Sequence, residues 1–325
     1  MTQDPTISQL YAKGAENLQA AGYRRVFPPD AALGTSLPTN REYLDSLFFV
    51  PHFLSSVESD SRSTILGVPV SAPLFCAPMS GWSQVGETAL EDCARGLKAA
   101  GSMMMLGIGG SEELQKAIDT GVPVAKIVKP YRNTDLIFSK LEDARRRGCV
   151  AVGMDIDHFH GRLVGDAVDL DDTFGPQTEE TMRQAITATG LPFIIKGVLG
   201  VDDARKAVEL GAAALLVSNH GRASVDCTLP SVVALPDIVA AVGSQVEVYV
   251  DTGFKTGNDI VKALALGAHA VGFASSVLLA WGAGREEGVH RFVEAVGAEM
   301  RRTMSALGCA GCDAVREIDL RRITG

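Results

Sequence analysis

No stretch of the 325-residue chain approaches the roughly 18 uninterrupted apolar residues that a membrane helix needs. No basic run is present either: 30 Lys and Arg face 39 Asp and Glu, for a formal charge of −9. Phosphate-backbone binding needs clustered cations, so a nucleic-acid partner is not expected. Cysteine is sparse, with six residues and a single C-x-x-C at Cys309 and Cys312. A structural zinc takes four ligands, and one pair supplies two. The cysteines therefore read as reduced thiols in a cytoplasmic protein. Residues 1–22 mix Asp4, Lys13 and Glu16 among small side chains without an apolar core, which predicts no secretory signal there. At 46% hydrophobic and 21% charged residues, the chain fits an ordinary globular protein rather than disorder or collagen.

Length alone leaves two domains or one large barrel open. From about residue 72, short apolar runs alternate with amphipathic segments. The runs are Leu74–Ala77, Ser102–Leu106, Val124–Val128, Val150–Ile156, Phe193–Lys196, Ala213–Val217, Val246–Val250 and Ala270–Phe273. Helical patterns lie between them at Glu87–Ala100, Thr134–Arg147, Thr178–Thr189, Val201–Leu210, Leu229–Val242 and Asn258–Leu266. Short runs apolar on both faces read as parallel strands, with the helices as crossovers. Eight such units favour an α/β fold of the (β/α)8 TIM-barrel type over a doubly wound sheet. Gly101, Gly148, Gly190, Gly211, Gly243 and Gly267 follow helical runs, where a left-handed cap favours glycine. Residues 1–70 predict an N-terminal arm with a helix at Ile7–Ala21, a long loop and a small β-element. Residues 71–325 predict the barrel, covered by a long C-terminal helix at Glu286–Leu307 with Val289, Phe292, Val293, Val296, Met300 and Met304 on one face.

In such a barrel, chemistry sits at the C-terminal ends of the strands. Strand one ends in Ala77-Pro78-Met79-Ser80, and strand three in Lys126, Lys129 and Tyr131. Strand four ends in Asp155-Ile156-Asp157-His158-Phe159-His160-Gly161-Arg162, and strand five in Lys196-Gly197. Strand six ends in Ser218-Asn219-His220-Gly221-Arg222, strand seven in Asp251-Thr252-Gly253-Phe254-Lys255-Thr256-Gly257, and strand eight in Ala274-Ser275-Ser276. Loops after strands seven and eight commonly hold a phosphate through backbone N–H groups. Gly253, Gly257, Lys255, Ser275 and Ser276 suit that use, although turn glycines and helix-capping serines would look the same. Lys196, His220 and Asp157 suggest a proton-transfer or redox centre: a cation for a negative cofactor ring, an imidazole base and a carboxylate to orient it.

These residues carry a resemblance. From about Asn40 to Cys309 the chain resembles the FMN-dependent α-hydroxy acid oxidases and dehydrogenases, the group containing glycolate oxidase and lactate oxidase. The matching stretches include Asn40-Arg41, Thr64-Ile65-Leu66-Gly67, Ala77-Pro78, Leu191–Val198, Asp202-Asp203-Ala204, Val217–Gly221, and Asp259 with Lys262–Ala268. The resemblance implies FMN over the strand ends, with Lys196 at the N1–O2 edge of the flavin, His220 as general base and Asp157 orienting it. It places Ala77, Pro78, Met79, Ser80, Ser218, Asp251, Gly253, Lys255, Ala274 and Ser275 on the cofactor side. It also implies a small anionic substrate and a homo-oligomer, a tetramer in many relatives.

Departures from the family pattern are specific. Its carboxylate-clamping arginine falls on Ala223, one place past Arg222. Its two active-site tyrosines fall on Leu10 and Val128, and its strand-three glutamine on Lys126. Its strand-seven phosphate-binding arginine is Lys255, and its strand-eight Gly-Arg is Ala274-Ser275. Arg162, Arg222 and Lys126 are the substitutes for substrate binding. Two alternatives remain on residues alone. Asp155, Asp157, His158 and His160 have a spacing that can serve a divalent metal in a lyase or hydrolase acting on a phosphorylated substrate. A catalytically degenerate, ligand-binding barrel is the other.

Overall fold

All eight apolar runs become parallel strands of one closed barrel: β1 (Leu74–Met79), β2 (Met103–Leu106), β3 (Val124–Val128), β4 (Ala151–Asp155), β5 (Phe193–Val198), β6 (Ala214–Val217), β7 (Glu247–Asp251) and β8 (Ala270–Phe273). The computed structural model describes residues 5–23, 36–159, 162–164, 167–169, 173–220, 225 and 227–323. Closure is made by β8 against β1, with Phe273 opposite Cys76. Between β4 and β5 the register sets Asp155 opposite Lys196.

Side chains along a strand alternate between the barrel interior and the helix-facing side. Phe75, Met103, Met105, Ile127, Ile194, Leu216 and Tyr249 pack together inside. Cys76, Met104, Val124, Val128, Val152, Ile195 and Val217 belong to the core shared with the helices. Both faces are dry, which is why each strand reads as an unbroken apolar run. A hairpin of Ser63–Ile65 and Val68–Val70 closes the N-terminal end, its Ile65 and Val70 joining the interior cluster. The Leu66 amide holds it to Glu247, the first residue of β7, at 3.2 Å.

Helices surround the strands: α1 (Ile7–Ala20), α2 (Ser36–Ser46), α3 (Ala89–Ala99), α4 (Ser111–Asp119), α5 (Thr134–Arg147), α6 (Glu179–Thr187), α7 (Val201–Leu210), α8 (Ser231–Val242), α9 (Gly257–Ala265) and α10 (Ser275–Ala306). Helix α4 is absent from the sequence pattern, because its buried face is only Leu114 and Ala117. Helix α2 stands where the sequence predicts a loop. Five of the six expected capping glycines have positive φ, but Gly243 is right-handed at φ −64. That helix end is closed by the Gly243 and Gln245 amides bonding back to Val239 and Val242. The expected last helix is the second part of α10, which is interrupted at Gly284 and Arg285. Its six apolar residues from Val289 to Met304 are all buried. No helix among the described residues is long and apolar enough to cross a membrane.

The N-terminal elements lean on the barrel's C-terminal half. Helix α1 lies on α10, with Asn17 donating to the Gly282 carbonyl at 2.8 Å and the Tyr11 ring 5.9 Å from Phe292. From α2, Arg41 makes a two-pronged contact with Asp259 at 2.7 and 2.9 Å. Arg41 also donates to the Gly253 carbonyl at 3.2 Å. A Cβ on Gly253, at φ +87, would lie 2.9 Å from the Asn40 Cβ, so only glycine admits this clamp. The Asn40-Arg41 pair thus fixes the loop after β7 from outside the barrel. Near the C-terminus, Leu320–Arg322 pairs antiparallel with Leu47–Phe49.

Candidate active site

Above the apolar filling, the inward-facing row of the barrel turns polar. Lys129 lies one residue past β3, Asp155 ends β4, Lys196 lies within β5, Ser218 follows β6 and Asp251 ends β7, all buried. Strand parity explains the set: Ala125 and Ile127 face inward, so Lys129 does too. Beyond Ser218 the chain turns sharply, and His220 adopts a left-handed φ of +54. Its amide is held by the Ser218 hydroxyl at 3.2 Å. Strand β5 changes register between Lys196 and Val198. The intervening Gly197 has φ +99, and a Cβ there would lie 2.8 Å from the Asp157 Cβ. Glycine at this position is what lets Asp157 approach the lysine strand.

The functional groups converge within hydrogen-bond reach. Lys129 Nζ donates to Asp155 Oδ2 at 2.5 Å, and Lys196 Nζ donates to Asp155 Oδ1 at 3.2 Å. His220 Nδ1 lies 3.1 Å from Asp157 Oδ1, 3.1 Å from Lys196 Nζ and 3.4 Å from Asp155 Oδ2. A ring N–H on Nδ1 donates to Asp157 and leaves Nε2 with its lone pair, whereas an unprotonated Nδ1 accepts from the Lys196 ammonium, so the position of the ring proton selects the partner. Beside His220 stands an aromatic wall: the His158 ring is 5.3 Å from it, Phe174 is 5.5 Å from His158, and Tyr131 is 5.3 Å from Phe174.

Charges in this cluster shift one another strongly. Burial opposes ionisation of Asp155, but His220, Lys129 and Lys196 outweigh it and hold the carboxyl well below its usual range. Asp157 is pushed up, first by burial and then by the neighbouring Asp155. Burial would lower the Lys196 ammonium, yet the carboxylates of Asp155, Asp157 and Asp251 raise it above normal. Burial and Lys129 drive His158 down to about 3, so its imidazole is neutral. For His220, burial lowers and Asp155 raises, with a net upward displacement.

Several expected site residues are placed elsewhere or in other roles. Lys126 belongs to the outward row of β3 with Val124 and Val128, and its ammonium donates to the Gly107 carbonyl. Burial, with Lys140 nearby, pulls it down to about 8. It therefore lies apart from the cluster, which corrects its assignment to the substrate side. Tyr11 does not reach the cluster either; its hydroxyl donates to the Lys255 carbonyl at 2.5 Å. Leu10 is core, and so is Val128. Arg162 lies on a short hairpin, Arg162–Val164 with Ala167–Asp169. Arg222, Ala223 and His160 lie outside the described residues.

On the cofactor side, Ala77, Pro78 and Met79 end β1. Ser80 ties this loop to the next by accepting from the Ile108 amide at 2.9 Å. The amides of Lys255 and Thr256 are bonded to Asp259 at 2.8 and 3.1 Å, and that of Gly257 to Glu299 at 2.7 Å. The start of α9 is thus filled by the protein's own carboxylates, while the Lys255 side chain is exposed. By contrast, no side chain caps the start of α10 at Ala274-Ser275, whose dipole favours an anion.

The structure gives two residues a weight that their sequence context does not. Asp155, which by sequence reads only as a metal ligand, is the hub of the cluster. Lys129, which by sequence is only a strand end, is its closest partner. Counting by twos along β3 and β4 finds both once the interior packing of Ala125, Ile127 and Ala151 has set which parity points inward. Asp155, Asp157 and His220 bring ligand atoms within 4.8 Å of one another. Two ammonium groups already neutralise Asp155, however, so a divalent ion would meet them at close range, and His158 is not part of that group. Cys309 and Cys312 donate to the backbone carbonyls of Ala314 and Ser61, both at 3.5 Å. Burial pushes the Cys312 thiol up to about 11 and raises that of Cys309 as well, which disfavours the thiolate in both.

Residues 22–163 and 163–322 match the family described as FMN-dependent dehydrogenase. The chain belongs to that family. It is 30% identical to 4-hydroxymandelate oxidase of Amycolatopsis orientalis, covering 88% of this chain and 90% of the relative. It is 27% identical to glycolate oxidase 3 of Arabidopsis thaliana, over 89% of this chain and 87% of that one. A crystal structure of a mandelate oxidase variant with 2-hydroxy-phenylacetamide superposes with a TM-score of 0.90 at 28% identity, covering 98% of this chain and 99% of that one. Family membership makes the protein an oxidoreductase of the α-hydroxy acid oxidase type, and the fold it shares with that structure is the TIM barrel read from the strand pattern.

Proposed function

We propose that the protein binds FMN and oxidises a 2-hydroxy acid bearing an aromatic group, with His220 as general base. The observation that carries this reading is the Lys196–His220–Asp157 cluster at the C-terminal mouth of a barrel of this family. The residues present fit the cofactor. Lys196 supplies a buried cation for the flavin N1–O2 edge, and Ala77–Met79 with Ser218 line the strand ends. Asp251 lies on the next inward position. The uncapped start of α10 offers N–H groups to the phosphate, and it adjoins the loop after β7, where Ser276 donates to the Phe254 carbonyl at 3.3 Å. Buried His158 Nδ1 and Asn219 Oδ1 lack a hydrogen-bond partner among the described residues, as expected of groups that await a ligand.

Bound FMN supplies the two-electron acceptor for the C–H bond beside the substrate hydroxyl. His220 Nε2 takes the hydroxyl proton, and Asp157 holds the ring in the tautomer that leaves Nε2 free. Neutral His158, Phe174 and Tyr131 provide the apolar flank against which an aryl group stacks. Arg162 and Arg222 are the assigned partners of the substrate carboxylate, a bidentate task suited to guanidinium.

The test is spectroscopic. Protein purified and supplied with FMN should show a bound-flavin visible spectrum, and anaerobic mandelate should bleach it faster than glycolate does. A protein that stays colourless with FMN overturns the reading. Bound flavin that no hydroxy acid bleaches favours a ligand-binding barrel without turnover.

A homo-oligomer is part of the proposal. Phe48, Val50, Phe53, Leu54 and Val57 are exposed within ten residues, an apolar patch that a second copy of the chain would cover. Sedimentation equilibrium should give a whole multiple of the chain mass, and Leu54→Glu should shift it toward the monomer. A monomeric wild type refutes this part.

A further inference from the structure

The hub carboxylate of the site is contested. Asp155 Oδ2 faces Lys129 Nζ at 2.5 Å and His220 Nδ1 at 3.4 Å, while Oδ1 is taken by Lys196. His220 Nδ1 has the shorter contact with Asp157 Oδ1, 3.1 Å. Lys129 is no surface cation: its side chain is 5% exposed, and strand parity aims it at the barrel axis.

We propose that Lys129 is a positioning residue that holds Asp155 Oδ2 to itself, so that His220 pairs with Asp157 rather than with Asp155, which limits how strongly the site favours the imidazolium over the free base. The proposal rests on the reading of His220 as base and adds what sets its protonation. An ionised carboxylate next to an imidazole favours imidazolium, which cannot accept a proton. Lys129 neutralises that carboxylate at the oxygen nearest the ring. Asp157 is the weaker anion of the two, because burial and Asp155 both disfavour its charge. Orientation by Asp157 therefore fixes the tautomer without locking a proton onto the ring.

Every described charged group facing His220 enters this balance. Lys129 comes from the end of β3, Asp155 from β4, Asp157 and neutral His158 from the turn after β4, and Lys196 from β5. Asp251 of β7 acts through Lys196. Burial lowers the imidazole, Asp155 raises it, Lys196 and Lys129 lower it again and Asp157 raises it, with a net upward displacement that Lys129 keeps smaller than Asp155 alone would make it.

Lys129→Met removes the charge at similar length, and Lys129→Arg keeps it. Histidine NMR titration of the FMN-loaded protein, without substrate, reads His220 directly. In the Met variant the His220 pKa should rise by on the order of one unit. The Arg variant should return it toward the wild-type value. The acid limb of the flavin-reduction profile should move with it. Should the Met variant fail to fold, Lys129→Gln, which still donates to Asp155 without charge, must show the same rise. An unshifted titration in a neutral variant, or folded protein from the Arg variant alone, assigns Lys129 a purely structural part and overturns the proposal. Absence of hydroxy acid turnover defeats the proposed function but leaves this titration to be read on its own.

Discussion

Replacing His220 by asparagine lowers the rate of flavin reduction by roughly 10²–10⁴-fold, the range a positioned general base contributes, while FMN stays bound. Asparagine is the informative choice because His220 sits at φ +54. Among non-glycine residues asparagine tolerates that left-handed conformation well, whereas alanine would add backbone strain to the loss of the ring. The wild-type rate should rise with pH through the imidazole pKa, which the site displaces upward, since only the neutral ring accepts a proton. The variant should lose that rise. Stopped-flow reduction across pH measures both effects. A residual rate within tenfold of wild type, with the same pH profile, would falsify the role of His220.

The second large effect is on stability. Asp155→Asn leaves Lys129 and Lys196, both buried, without their shared carboxylate. Breaking a buried ion pair by removing one partner costs about 3–5 kcal/mol, because the remaining charge stays desolvated and uncompensated. Urea unfolding at neutral pH should show a loss of that order. The pH dependence has a definite sign. A carboxyl held well below its normal range in the folded state contributes its stability in full above the unfolded value of about 3.9. That contribution fades as pH falls from there toward the folded value. The gap between wild type and variant should therefore narrow below about pH 4. A gap that is absent at neutral pH, or that does not change in acid, would show that packing rather than charge holds this site together.

Much of the molecule is legible in its sequence. The apolar runs at Val124–Val128 and Ala270–Phe273 are strands with those bounds, and the helix Thr134–Arg147 begins at its Asn133 cap. Such elements are written locally, in residue type, capping and length. Lys196, His220 and Asp157 are legible because they stand at strand ends, where a barrel of this kind keeps its chemistry. Lys126 and Lys129 show where local reading stops. Both lie at the end of one strand, three residues apart, and a strand apolar on both faces carries no polar alternation to say which lysine points inward. The interior packing of Ala125 and Ile127 decides it: Lys129 enters the site and Lys126 faces the helices. Gly253 and Gly257 mark a similar limit. Their turn chemistry suits a phosphate, but Arg41 and Asn40 from α2 and Glu299 from α10 occupy the loop from outside.

The sequence by itself determined the eight-strand barrel and the family and singled out His220 as the candidate base, since periodicity, capping and strand-end motifs are properties of neighbouring residues. Tertiary structure alone decided that Lys129, Asp155, Lys196 and His220, carried by four adjacent strands and their ends, share one buried charge network. Barrel closure sets which faces point inward and which residues stand opposite one another across strands. In a low-dielectric interior that juxtaposition, rather than any residue's own type, fixes who holds the proton.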